Sequence, residues 1–254
     1  MKVVTAVNEL QAAKWQLYER LADFMVELVD FAGVSVALEV GCGGGGLTTP
    51  LAARVSKKCK IIAYDLLAGA YEGDFEVLEE AIVSGGFEDI VEIVRGDVKD
   101  MRTIADESVD LIVSNELFCD LDRTGLEQAL KEFYRVLKHG GQMVHAELSP
   151  VAENRAQKLL IEADFHYSLE PTLPESEFWF SPTVDDVAVL MHKTGFKSIC
   201  AHYFETNLRL GYEVAIEQLK LWKTDMRFAK EYRKDLQEYG LEFPLEHVVV
   251  CEKL

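Results

Sequence analysis

Short apolar runs alternate along this chain with stretches whose apolar residues recur every three or four positions. The runs at 34–40, 60–65, 91–96, 109–115 and 142–148 are dominated by Val, Ile, Leu and Ala, and runs this short between turn residues predict β-strands. Helical spacing covers 51–55, 75–84 and 125–138. Gly85-Gly86 and His139-Gly140-Gly141 follow the last two of these, because glycine readily takes the left-handed turn that ends a helix. Strand and helix in alternation predict an α/β chain, with a parallel sheet and helices on both faces.

The flanks read differently. Leu10, Leu17, Leu21, Phe24, Met25 and Leu28 share a helical stripe running to Asp30, with Asn8 as its expected cap and Gln11 as the capping-box partner. Trp15 and Tyr18 lie toward another face. Trp15 is read as cover for the sheet edge; for Tyr18 that reading and closure over a substrate both stay open. Beyond Ser149-Pro150, residues 151–168 read as helix and 169–181 are rich in Pro, Ser and aromatics. A helix at 183–194 ending at Gly195, a strand at 197–204, a helical insertion at about 208–239 and a last strand at 247–252 complete the chain. Without repeats or a linker, 1–254 is expected to be one domain: a helical cap 1–33, a core 34–148, a lid 149–182 and an insertion 205–243.

Composition narrows the class. The chain has 254 residues, 49% hydrophobic and 28% charged, an ordinary balance for a globular protein. No apolar run reaches the ~18–20 residues of a membrane span, and the N-terminus turns charged too soon for a secretory signal. The five cysteines form no CxxC or CxxH pair, which argues against a zinc site or other metal centre and against a disulfide framework, and for a reducing, cytoplasmic setting. A net charge of −18 argues against nucleic acid as a partner, since polyanion binding needs Lys and Arg. Homodimerisation stays open.

The candidate chemistry centres on Leu38-Glu39-Val40-Gly41-Cys42-Gly43-Gly44-Gly45-Gly46. A strand that runs into glycines and then a helix brings backbone N–H groups close to a nucleotide-like ligand. Read alone the loop satisfies GxGxxG, and Asp65 ends the next strand as a ribose-binding acid would. Glu39 adds an acid inside the first strand, costly to bury unless something binds it. Gly96-Asp97-Val98 places another acid after the third strand. The fourth strand begins Asp110-Leu-Ile-Val, and Arg135-Val-Leu-Lys-His-Gly-Gly141 precedes the fifth.

Together, in this order, these motifs resemble the class I S-adenosylmethionine-dependent methyltransferases, and within them the small-molecule group typified by ubiquinone and menaquinone biosynthesis. His139 stands where that group usually has proline, a departure expected to affect only a turn. The resemblance implies a Rossmann-like, doubly wound, seven-stranded, mostly parallel sheet with an antiparallel last strand and a helical cap and insertion. It implies S-adenosylmethionine as cofactor, with S-adenosylhomocysteine as product. It also implies cofactor contacts at Glu39, Gly41, Cys42, Gly43 and Gly45 near the methionine end, Asp65 and Leu66 at the ribose, Asp97 and Val98 at the adenine, and Asn115.

Direct displacement at a sulfonium needs alignment more than a fixed base, so the residues say little about the small-molecule acceptor. Glu116 and Glu147 are the catalytic candidates, Glu116 being suited either to a substrate amine or to a helix cap. Tyr18, Tyr167 and Trp179 are the substrate candidates; His166 and Phe178-Trp-Phe180 share the expected lid. His145 reads as a core histidine. Lys220, Lys223, Arg227, Lys230 and Lys234 are expected on one face of a helix, with Leu219, Trp222, Met226, Ala229 and Leu236 on an adjacent apolar face. A protein methyltransferase of the arginine type and a cofactor-binding scaffold without turnover are the alternatives.

Overall fold

The structure is a computed structural model that describes residues 2–55, 58–66, 75–167 and 182–254, the side chains of 2–4, 32 and 165–167 excepted. Helix α1 (Lys2–Leu28) precedes strand β1 (Val36–Val40), followed by α2 (Thr48–Arg54), β2 (Lys60–Asp65), α3 (Phe75–Gly85) and β3 (Val91–Arg95). Next come β4 (Val109–Asn115), α4 (Arg123–Val136), β5 (Leu137–Leu148), α5 (Arg155–Tyr167), α6 (Val184–Thr194) and β6 (Lys197–Phe204). A short hairpin, β7 (Arg209–Leu210) with β8 (Leu241–Glu242), brackets α7 (Tyr212–Leu221), α8 (Arg227–Glu231) and α9 (Arg233–Tyr239), and β9 (Glu246–Glu252) closes the order.

The main sheet has seven strands in the order β3-β2-β1-β4-β5-β9-β6. Only β9 runs antiparallel to its neighbours, so the Rossmann-like fold and its reversed last strand are as the motifs imply. The chain steps outward from β1 to β3 and then returns to β4 beside β1. That reversal opens a crevice above the C-terminal ends of β1 and β4, where ligands of open α/β sheets bind. Helices cover both faces. Leu38, Val40, Ile112 and Met143 pack under α4 and α6. Ala37, Leu111, Val113, Val144 and Val248 pack under α1, α2, α3, α5 and the insertion.

Asp110 ties three strands at the opposite end. Its Oδ2 accepts from the Ser35 and Val36 amides at 3.0 and 2.9 Å, and its Oδ1 from Lys138 Nζ at 2.6 Å. Burial works against this charge, but Lys138 and the two amides hold the carboxyl below the usual range. Thr183 caps α6 through a capping box with Asp186, and Gly195 ends that helix at φ +119°, both as local chemistry predicts.

Several expectations are corrected. Helix α1 begins at Lys2, so Asn8 and Gln11 sit in its interior and form no capping box. Trp15 is 47% exposed and does not bury itself on the sheet edge. Helix α4 stops at Val136 and β5 starts at once. The His139-Gly140-Gly141 segment therefore belongs to a strand irregularity, where pairing jumps from Val109–Leu137 to Leu111–Gln142 and Gly140 takes φ +78°. The insertion is three short helices instead of one, broken at Lys223 with φ +50°. Its basic residues share no single face: Lys220 pairs with Glu217 and Arg227 with Asp225 at 2.8 and 2.5 Å. Leu219, Ala229 and Leu236 are buried as expected.

Candidate active site

The glycine loop lies in the crevice because β1 ends there. Gly41 and Cys42 donate to Tyr64 O at 2.9 and 3.4 Å, and Gly45 donates to Cys42 O at 2.9 Å. Gly41, Gly43 and Gly45 all take positive φ, which glycine alone adopts cheaply. A Cβ on Gly45 would drive into Leu78, whereas one on Gly43 meets no atom of the described residues within 4 Å. The loop is thus packed from below and open above Gly43.

Asp65, at the tip of β2, accepts the Gly43 N–H on Oδ2 at 2.8 Å. Glu39 is 3% exposed, and its Oε2 has no hydrogen-bond partner among the described residues. Burial, opposed by Thr48 and reinforced by Asp65, pushes its carboxyl up to about 8. The Cys42 thiol is buried and its pKa raised by that burial. Asp97 turns one oxygen back on its own chain: Oδ1 accepts Lys99 N–H at 2.9 Å, and Lys99 Nζ stands 3.5 Å from Oδ2. Leu66 is exposed and Val98 buried. Asn115 ends β4 with its Oδ1 buried and unpartnered among the described residues.

A second group of charged residues gathers where β4, β5 and β9 end. Glu116 follows Asn115 with φ +48° and donates its N–H to Ala146 O at 2.9 Å. Lys14 of α1 and Asp164 of α5 both act electrostatically on it. Burial lowers the Lys14 pKa while Glu116 opposes that shift. Tyr18 presses its ring on the glycine loop, so that a Cβ on Gly46 would meet Tyr18 Cε2 at 2.9 Å. Burial, then Glu116 and Glu246, raises the Tyr18 hydroxyl. Asp120 is exposed, and enclosure by its surroundings, then Glu147 and Glu116, raises its carboxyl to about 8.

Glu147 is not free to meet an acceptor. It is buried, and its Oε2 accepts from the Phe118 and Cys119 amides at 3.1 and 3.3 Å. His145, also buried, has Nε2 3.4 Å from the same oxygen and Nδ1 2.7 Å from Ser114 Oγ, and stacks on Phe118 with ring centroids 3.5 Å apart. His145 is thus a core histidine, as expected. His247 stands opposite Glu147 on β9; burial, then His145, lowers its pKa to about 4.

The structure brings Tyr18, Glu39, Gly41, Gly43, Gly45, Asp65, Asn115 and Glu116 to one end of the sheet. The Tyr167 side chain and the whole of Trp179 lie outside the described residues, as do the His166 side chain and Phe178–Phe180. Sequence reasoning missed Lys14, Asp120, Asp164 and Glu246. Lys14 stands one helical turn before Tyr18, a signal that was available. Nothing local tells that α5 approaches the loop after β4.

A Rossmann-like sheet with a glycine loop and acids at successive strand tips defines an open α/β fold whose ligands sit at the C-terminal ends of its strands. The family model described as "Methyltransferase domain" matches residues 38–145. The chain is 28% identical over 57% of its length to a demethylmenaquinone methyltransferase from Symbiobacterium thermophilum, covering 54% of that protein. It is 31% identical over 56% of its length to the ubiquinone/menaquinone biosynthesis C-methyltransferase UbiE from Hydrogenovibrio crunogenus, covering 52% of it. It therefore spans about half the length of the curated relatives it matches. The fold resembles that of a cyclopropane-fatty-acyl-phospholipid synthase-like protein from Lactobacillus casei, with TM-score 0.69 at 16% identity over 96% of this chain and 92% of that one. The likeness to methyltransferases is carried by residues 38–145 and, in the curated relatives, by a little over half of the chain, and the fold is that of Rossmann-like methyltransferase structures. Among the described residues, no helix is long and apolar enough to cross a membrane.

Proposed function

We propose that this chain transfers a methyl group from S-adenosylmethionine to a small-molecule acceptor bound at the C-terminal rim of the sheet. The observation that carries this reading is the pairing of Gly43 with Asp65 beside a buried Glu39 whose Oε2 has no hydrogen-bond partner among the described residues. A loop that the described residues leave open above Gly43, and a buried carboxyl with one oxygen unpartnered among them, fit a ligand with a cationic amino-acid end. Glu39, Gly41, Cys42, Gly43 and Gly45 would hold that end. Asp65 with Leu66 would hold the ribose, Asp97 with Val98 the adenine, and Asn115 would line the floor. When bound, the cofactor supplies a methyl group activated on a sulfonium.

The rest is alignment. Tyr18 closes the crevice over Gly46, and the strand ends set where the acceptor sits. Glu116 faces that space and is the group placed to take a proton from an acceptor. Glu147 acts at one remove: it holds the Phe118 and Cys119 amides and so shapes the loop that carries Glu116 and Asp120. The names of the curated relatives support a small-molecule acceptor, and the acidic surface (net charge −18) suits a cationic cofactor. Incubating the chain with labelled S-adenosylmethionine and fractionated metabolites tests this. A metabolite heavier by one CH2 group is expected. Cofactor binding with no methylated product in any fraction would favour a scaffold without turnover.

A further inference from the structure

We propose that the chain recognises its methyl acceptor as a cation, an ammonium group seated among Glu116, Asp120 and Glu246; this rests on the methyltransferase reading above. Sheet register brings the three elements together. Glu116 leaves β4 and bonds to Ala146 of β5, while Glu246 opens β9 directly opposite Leu148 of β5. Two carboxylates thus flank the tip of one strand, and Asp120, in the loop between β4 and α4, interacts electrostatically with Glu116. Glu246 lies on the sheet face of Val248 and Val250, the face covered by α1 and α5.

Glu246 is the independent observation. It is 1% exposed, and its Oε2 has no hydrogen-bond partner among the described residues. Glu116 and Glu147 act on it electrostatically, so it lies near the acidic group. A buried carboxylate is expensive unless a donor or a positive charge meets it. The neighbouring cations offset these carboxyls only in part. The Arg20 guanidinium, the one positive charge among the described residues that acts on Glu246, also bonds to the carbonyls of Glu205 and Thr206. Lys14 acts on Glu116. Asp164 and Glu147 add further negative charge. With a neutral acceptor these carboxyls could ionise only as buried charge left partly uncompensated, and an anionic one would be repelled. An ammonium group supplies both the charge and the N–H donors. It must also lose a proton before its nitrogen carries a lone pair; an N–H bond then breaks as an O–H bond forms on Glu116, whose carboxyl burial already shifts upward.

The test is ligand-observed NMR on the full chain, saturated with S-adenosylhomocysteine, titrated separately with benzylamine, benzyl alcohol and benzoate. The three share a ring and differ in charge. The amine is expected to bind about tenfold tighter than the alcohol, the worth of one charge-assisted hydrogen bond, with benzoate weakest. Glu246→Gln, and separately Glu116→Gln, should each erase most of that preference, with S-adenosylhomocysteine affinity held within about twofold. Absence of preference for the amine, including absence of all three from the site, overturns the inference and leaves the methyltransferase reading standing. Failure of S-adenosylhomocysteine itself to bind overturns that reading and the acceptor assignment with it.

Discussion

The backbone N–H of Gly43 donates to Asp65 Oδ2 at 2.8 Å, joining the loop after β1 to the tip of β2. One bond thereby fixes both the glycine loop and the acid expected to meet the cofactor ribose. Asp65→Ala should release the loop and remove that acid at once. A hydrogen bond to a charged group is worth about 1.5–3 kcal/mol. Cofactor affinity is therefore expected to fall about 10- to 100-fold by calorimetry; unchanged affinity would remove Asp65 from the site.

Gly43 and Gly45 differ in what limits them. At Gly43 a side chain meets open space and only φ +49° is strained; at Gly45 it meets Leu78 as well, at φ +85°. Left-handed backbone costs an ordinary residue about 1–2 kcal/mol, and overpacking adds about 1–3 kcal/mol. Urea unfolding should show Gly45→Ala as the less stable of the two alanine variants. Gly43→Ala should fold yet bind S-adenosylhomocysteine weakly. Equal stability of the two would contradict the packing described below the loop.

Glu147 serves the fold before it serves chemistry. Glu147→Ala strands the buried Phe118 amide and the part-buried Cys119 amide, and removes the carboxylate beside His145. Each unpaired buried group costs about 1–3 kcal/mol, so a loss of roughly 2–4 kcal/mol is expected in denaturant unfolding. Ser114→Ala, which removes the partner of His145 Nδ1, should cost less. The two losses should be non-additive in a double-mutant cycle. A Glu147→Ala chain of parental stability would refute this role.

Stability should depend on pH in a definite direction. Glu39 and Asp120 are both raised to about 8, burial being the first cause in each. A carboxyl raised in the folded state contributes stability that is complete below its ordinary range and lost as pH rises through the folded value. His247, lowered to about 4, runs the opposite way and loses its contribution only as pH falls through that value. Between about pH 6.5 and 8.5 the melting temperature of the ligand-free chain should therefore fall, and Glu39→Gln should flatten the slope. An equally steep fall in Glu39→Gln would assign the titration to other groups.

Much of the fold was legible because local chemistry and burial agree. Strands β2, β4 and β6 begin and end where their apolar runs do, and the stops at Gly86 and Gly195 coincide with positive φ. Errors arose where tertiary context overrides a local signal. Asn8 looks like a cap, but the helix runs on to Lys2 and places Asn8 in its interior. The Gly140-Gly141 pair looks like a helix stop, yet β5 begins before it because Leu137 pairs with Val109. In the site, Glu39 and Asp65 could be read from strand-tip motifs. Glu246 could not, since its partners come from β4 and β5, far away in sequence, and Glu147 pointed to chemistry although its oxygen is spent on loop amides.

The central claim is that the crevice above Gly43 is a cofactor site for S-adenosylmethionine. Its most direct test is calorimetric titration of S-adenosylmethionine and S-adenosylhomocysteine into the full chain, with NAD as the control that a GxGxxG loop demands. The account predicts saturable one-to-one binding of both, with dissociation constants on the order of micromolar, and no binding of NAD. Tight binding of NAD with neither sulfur compound bound would contradict it.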